Sequence, residues 1–245
     1  FIKKGGISDP RIKITDHKEI FRGLMDFAPT FNPRCIDALL HRIPGLSEKF
    51  IYFNDDMFLI KKTNKEDWYA EGGAPVLRGK WSKSYNKIWH KKAASLFLPF
   101  FKKRPSYNLA QSMSANMAGY NNTYYRSFHS GRPLLKSVLE GYFKKNPQTL
   151  RNQLKYRFRN QDQFMPYSLG WHLMIKERGA SLTTSLGLEE IGNVKKMPLG
   201  KFKFLLNKAD QNPKTFSLNI QDLNLGEKSI QDYFKKWMNG LLGVV

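Results

Sequence analysis

Two different apolar periods follow one another across residues 34–60, and the switch between them dictates a layered fold. Ile36, Leu39, Leu40 and Ile43 fall at i, i+3, i+4 and i+7, one face of a helix over RCIDALLHRI (34–43). Pro44-Gly45 stops that helix. FIYFN (50–54) then runs apolar without a break, the pattern of a fully buried strand. Upstream, RIKITD (11–16) reads as a short strand with Ile12 and Ile14 on one side. HKEIFRGLMDFAPTFNP between them reads as a short helix or loop ending before Pro29. Strand, helix, strand is the order of an α/β layer.

Downstream, residues 61–92 read as basic loop. KKAASLFLPFFKKRP (91–105) holds a lysine-flanked apolar run, Ala94 to Phe101, interrupted by Pro99. It is too short to span a bilayer and reads as a packed helix end or an interfacial anchor. Helices are expected over 133–145, with Leu135, Val138, Leu139 and Tyr142 as the apolar stripe, over 147–158 with Pro147 in the first turn, and over 163–178. Residues 201–206 and 214–219 read as short strands and 229–242 as a terminal helix. There are no internal repeats.

The chain carries 41 Lys+Arg against 20 Asp+Glu, a net charge of +21. An excess of that size calls for an anionic partner. With 41% hydrophobic and 14% aromatic residues the chain can pack a core, which excludes global disorder. A single cysteine, Cys35, excludes an intrachain disulfide and a cysteine-based metal site, and fits a reducing compartment. The opening FIKKGGISDP has no signal-peptide pattern and no initiator Met, so a fragment is expected. No recognisable nucleic-acid motif accompanies the charge.

Against that background, Asn54, Asp55 and Asp56 stand out at the end of the apolar strand. Adjacent carboxylates repel, and burying them unpaired is costly. Strand-end acids can hold Mg²⁺ or Mn²⁺, hard cations that bridge to phosphates. The plain alternative is that Asp55 caps the turn and Asp56 is solvated. SFHSGRP (127–133) sets His129 in a polar turn with Arg132 three residues on. A loop histidine can serve as a base near neutral pH, although a lone one more often has no chemical role. YRFRNQD (156–162) places Arg157 and Arg159 on opposite sides of an expected helix end, so one at most faces a given site. Guanidinium suits phosphate, and a solvated basic face is the alternative. KTFSLNIQD (214–222) repeats the strand-then-Asn-and-Asp pattern.

Taken in order, PTFN…I…LHRIPGLSEKFIYFNDDMFL, FHSGRPLLKSVLE…RFRNQD and PKTFSLN resemble the Stealth family over most of residues 10–224. That family comprises capsular polysaccharide phosphotransferases and the animal N-acetylglucosamine-1-phosphotransferase. Its members have four blocks, and these stretches resemble the second, third and fourth. The first block would lie upstream of FIKKGG. In the fourth, relatives set Asn and Asp side by side, whereas Ile220 and Gln221 here separate Asn219 from Asp222.

The resemblance implies an α/β, Rossmann-like glycosyltransferase-type core with a helical insertion, its first strand or strands outside this chain. Residues 1–60 would end the nucleotide-sugar half, 61–125 would be a variable basic insertion, and 126–245 would return the His and Arg motifs to the site. It implies transfer of a sugar-1-phosphate from a nucleotide sugar to a hydroxyl of a cell-surface polysaccharide. Asp55 and Asp56 would bind Mg²⁺ or Mn²⁺, with Asn54 positioning one of them. His129 would take the acceptor proton, and Arg132 and Arg159 would clamp the phosphoryl group. Asn32 and Asp37 would contact the sugar, with Asn219 also on the donor. Asp162 is the alternative base. Expected partners are the donor, the polysaccharide acceptor and a peripheral contact with the membrane or capsule-export machinery, and not nucleic acid. The expected location is the cytoplasm or the inner face of the cytoplasmic membrane. A metal-dependent glycosyltransferase without phosphate transfer and a non-catalytic fragment remain open alternatives.

Overall fold

A computed structural model describes residues 10–85, 106–185 and 187–243. The lysine-flanked stretch at 91–105 lies outside the described residues. Early in the chain, α1 (His17–Ile20) is closed by a capping box: Asp16 accepts from Lys18 N, and Glu19 accepts from Asp16 N. The expected helix over 34–43 divides into α2 (Pro33–Ala38) and a 3₁₀ turn, Leu40–Arg42. RIKITD is not a strand. It joins no sheet ladder among the described residues, and Ile12 and Ile14 are exposed.

Strands β1 (Lys49–Tyr52) and β2 (Met57–Leu59) flank the Asn-Asp-Asp turn, and β1 is half-buried rather than fully buried. Residues 61–92 are not all loop, because β3 (Val76–Lys83) crosses them. Beyond lie α3 (Tyr107–Met117), β4 (Thr123–Ser127), β5 (Arg132–Leu135), α4 (Lys136–Lys145), α5 (Pro147–Leu154) and α6 (Pro166–Glu177). The chain continues through β6 (Ser181–Thr183), β7 (Leu188–Ile191), α7 (Leu199–Gln211), β8 (Ser217–Ile220) and α8 (Lys228–Leu242). Helix α5 stops four residues earlier than its pattern suggests. The stretch 201–206 is helix, not strand.

The result is a mixed α/β fold of small sheets. β1 pairs antiparallel with β5; β2, β8 and β7 form a second sheet; β4, β3 and β6 form a third. The second and third sheets each combine one antiparallel and one parallel pair. Among the described residues no sheet exceeds three strands, so an extended parallel Rossmann sheet is not formed there.

Two cores hold these sheets. α6 is buried along its first nine residues, with Trp171 and Met174 at 0% exposure, and carries the larger core with α3, α4 and β4. A helix apolar on every side has to be enclosed in this way. α7 and α8 cover β7 and β8 through Phe202, Leu206, Ile230 and Phe234. Arg78 joins the two regions. Its guanidinium lies 5.2 Å from the Trp68 ring and 4.9 Å from that of Phe216, and donates to Asp67 O.

Candidate active site

The loop between β4 and β5 carries His129 and Arg132, and its shape depends on Gly131. A Cβ there would lie 2.5 Å from Phe53 and 2.7 Å from Trp68, so only glycine lets the loop press onto those rings. β5 then places Arg132 directly across from Tyr52 of β1. The Arg132 side chain is fully buried. Its guanidinium lies 4.1 Å from the Tyr167 ring and 5.6 Å from Tyr52, and Nη2 donates to Tyr107 Oη at 3.4 Å. Nε has no hydrogen-bond partner, and Arg132 forms no salt bridge among the described residues. A buried cation held by ring faces, one phenol and the Met57 Sδ at 3.9 Å is an expensive arrangement for stability alone. The direct phosphate clamp expected of Arg132 is closed off here, because the side chain has no exposed surface.

Asp37 lies nearby, nine-tenths buried, and accepts from Tyr52 Oη at 2.9 Å. Burial pushes its carboxyl up to about 6, against the pull of the Tyr52 hydrogen bond and of Arg132, Arg159 and Arg34. Asp37 is therefore set below the surface, not on it.

His129 stacks on Tyr107 with centroids 4.9 Å apart and planes at 19°. The same phenol accepts from Tyr167 Oη at 2.8 Å and is bonded to Ser127 Oγ at 2.9 Å. Tyr107 thus links His129 to Arg132. On its other side His129 meets Glu190 of β7, with Nδ1 3.2 Å from Oε1. β7 sets Glu190 across from Asn219 of β8. Asn219 donates from Nδ2 to Asp56 O at 3.0 Å and leaves its buried Oδ1 without a partner. Asp56 Oδ1 is likewise buried and unpartnered. Asp56, Asn219, Glu190, His129, Tyr107, Arg132, Tyr52 and Asp37 thus run as one connected series.

Asp55 is exposed beside Asp56, and both line a cleft of about 550 Å³ with Asp222, Asn224 and Lys235. Asp222 takes the left-handed conformation, φ 57°, and accepts from Asn193 Nδ2 at 2.6 Å. The two intervening residues therefore do not carry it away from the Asn54–Asp56 turn. Asn54 closes that turn through its carbonyl, which accepts from Met57 N. Among the described residues, no three His, Cys, Asp or Glu side chains gather as a metal cage.

One expected site residue, Asn32, stands apart. Asn32 is fully buried and fully engaged: it caps α2 by accepting from Arg34 N, and donates to Tyr156 O and Gln163 Oε1. It ties the 156–163 segment down instead of facing a ligand. Arg157 and Arg159 lie beyond the end of α5, so helical spacing does not separate them. Arg157 donates to Pro29 O, while Arg159 is exposed and close enough to Asp37 to act on its charge. Asp162 is exposed in a turn that its own N–H closes onto Asn160 Oδ1. Sequence reasoning did not find Glu190, Tyr107, Tyr52 or Tyr167. Only strand register and loop folding bring them in.

Residues 6–77 match the family model described as Stealth protein CR2, conserved region 2. The chain is 33% identical over 168 residues to the capsular polysaccharide phosphotransferase fcs1 of Haemophilus influenzae, covering 66% of this chain and 44% of that protein. It is 29% identical over 166 residues to the capsular polysaccharide phosphotransferase cps1A of Actinobacillus pleuropneumoniae, covering 66% and 42%. It is 44% identical over 69 residues to the exopolysaccharide phosphotransferase cps2G of Lactiplantibacillus plantarum, covering 28% and 20%. The chain spans less than half the length of these relatives. Over residues 6–77 the chain is thus similar to the second conserved region of the Stealth family.

Proposed function

We propose that this chain forms the catalytic part of a phosphotransferase that moves a sugar-1-phosphate from a nucleotide sugar to a polysaccharide hydroxyl. The observation that carries the reading is the buried, unpaired Arg132 guanidinium, set in one series with a base-bearing loop and an unpartnered Asp56 oxygen. Such a site suits a reaction in which an anion accumulates charge and a proton leaves a hydroxyl. The acceptor oxygen attacks the β-phosphorus while His129 takes its proton. The bond from that phosphorus to the bridging oxygen breaks, and nucleoside monophosphate leaves.

The residues fit a divalent cation. Asp56 Oδ1 and Asn219 Oδ1 are hard oxygen donors with no other partner, and Asp55 is free to turn into the cleft. Mg²⁺ is commonly held by one or two carboxylates plus substrate phosphates, so a closed cage is not needed. When bound, Mg²⁺ or Mn²⁺ would neutralise the donor diphosphate, with Asp55 and Asp56 holding it. Arg132 would act as a buried charge whose field is weakly screened, and exposed Arg159 as the group that meets the phosphoryl oxygens. Asn54 would orient the acidic pair.

The domain division and the Rossmann-like core belong to the same proposal, with β1, β2 and β8 as the part that presents the site. So does a peripheral contact with the membrane or export machinery. Among the described residues no helix is long and apolar enough to cross a membrane. The test is to supply the complete protein with a panel of nucleotide sugars and follow the released nucleotide. Sugar-phosphate transfer must release the monophosphate; release of the diphosphate alone would overturn the reading.

A further inference from the structure

We propose that Glu190 is a positioning residue that holds His129 in the tautomer able to accept a proton, which rests on the transferase reading above. β7 carries two adjacent acids with opposite duties. Glu189 accepts from Lys208 Nζ of α7 at 2.7 Å, an ordinary surface ion pair. Glu190, next along the strand, faces the other way, as alternation along a strand requires. Its register partner is Asn219, whose side chain meets Asp56. The two faces of one short strand are therefore committed to a surface pair and to the site.

Glu190 binds His129 twice through one oxygen. Oε1 accepts from the backbone N–H of His129 at 3.3 Å and faces ring Nδ1 at 3.2 Å. The first contact fixes the loop and the second fixes the ring. A carboxylate can only accept, so Nδ1 must carry the hydrogen of the neutral ring, and the Nε2 lone pair is left free. The Glu190 carboxyl is held below its ordinary range, chiefly by the His129 side-chain hydrogen bond and against burial, so it is ionised at neutral pH. Tyr107 presses flat on the ring and removes the remaining rotational freedom. The titratable and charged groups facing the pair are Tyr107 and Arg126, with Arg132 beyond the phenol. Glu190 does not touch the reacting atoms in this arrangement; it acts through His129.

A stability role is the competing explanation. Exposed pairs contribute about 0–1 kcal/mol, and the Glu190 side chain is 49% exposed, so stability is a weak reason for a doubled contact. The test uses the complete protein with His129→Ala, Glu190→Ala and Glu190→Gln variants. Nitrogen-15 NMR of the imidazole, without substrate, should show Nδ1–H in the native protein and loss of that tautomer in Glu190→Ala. Glu190→Ala and Glu190→Gln should each lower kcat by ~10–100-fold with donor KM nearly unchanged, a usual effect of removing an orienting partner. Thermal stability should hardly change. An Nε2–H tautomer in the native protein, or an unchanged one in Glu190→Ala, would overturn the proposal. So would loss of rate in His129→Ala with none in the Glu190 variants. Full activity in His129→Ala would instead sink the base assignment, while the NMR readout, which needs no turnover, would still decide the positioning.

Discussion

Replacing Arg132 by Met separates a site built for an anion from a residue built for stability. Methionine fills a similar volume and removes the charge, so no large cavity opens. The variant forfeits cation–π contacts with Tyr167 at 4.1 Å and Tyr52 at 5.6 Å, about 0.5–2 kcal/mol each. It also relieves the burial of a cation that has no ion pair among the described residues, a penalty of several kcal/mol. Asp37 does not become a stranded charge. Arg132 is one of the groups that hold its carboxyl down, so without Arg132 its pKa climbs further above about 6 and it takes a proton near pH 7. The terms nearly cancel, and stability should stay within about 2 kcal/mol of wild type. That is a Tm change of at most roughly 4–8 °C for a chain of this size. Turnover should fall by ~10²–10³-fold, the usual result of removing one electrostatic stabiliser of the transition state. Thermal denaturation and nucleoside monophosphate release, measured on the same preparation, give both numbers. A loss beyond about 4 kcal/mol would show that Arg132 serves the fold, because that is the scale of breaking a buried pair. Turnover within a few-fold of wild type would show that the phosphoryl group does not feel it.

Asp37→Asn should stabilise the protein above pH 6 and leave it unchanged below about pH 4. The folded pKa is raised from 3.8 to about 6, so the penalty is absent while both states are protonated and complete once both are ionised. At 1.36 kcal/mol per tenfold in acidity the gain is on the order of 1–3 kcal/mol at pH 8, read by urea denaturation at both pH values; equal effects at pH 4 and pH 8 would contradict it. Gly131→Ala forces Phe53 or Trp68 to move and should cost about 1–3 kcal/mol while lowering turnover, since the same loop carries His129 and Arg132. A fully stable and active Gly131→Ala would show that the loop does not depend on this contact. Asp56→Asn should weaken Mn²⁺ binding, seen by calorimetry, at least tenfold; unchanged affinity would remove Asp56 as a ligand.

The sequence was most readable where a single period ran long. α4, α6 and α8 lie close to where their apolar spacing puts them. KFKFLL misled because six residues fit both periods. Carried on to Ala209, the buried set is Phe202, Leu206 and Ala209, which is helical, and Phe204 is 67% exposed. β3 was hidden by Gly79, which reads as a loop residue. It is glycine because a Cβ would lie 2.4 Å from Arg126 O on the paired strand. RIKITD has strand chemistry but joins no sheet ladder among the described residues, and ladder pairing makes a strand. At the site, Asp56, His129, Arg132 and Asn219 came from motifs, and the structure joins them into one series. Glu190 had no local signal: two acids on a short strand are common, and the register with β8 decides which one faces His129. Asn32 carried a signal that meant something else, since a fully bonded buried amide is a structural tie.

The central claim is that phosphorus, not the sugar carbon, is attacked. A nucleotide sugar labelled with oxygen-18 in the bond between C1 and the β-phosphate tests this in one experiment on the complete protein. Sugar-phosphate transfer leaves that bond intact, so the label should appear in the product phosphodiester by phosphorus NMR, with unlabelled nucleoside monophosphate released. Label recovered in a released nucleoside diphosphate, with no phosphodiester formed, would show cleavage at C1 and contradict the account.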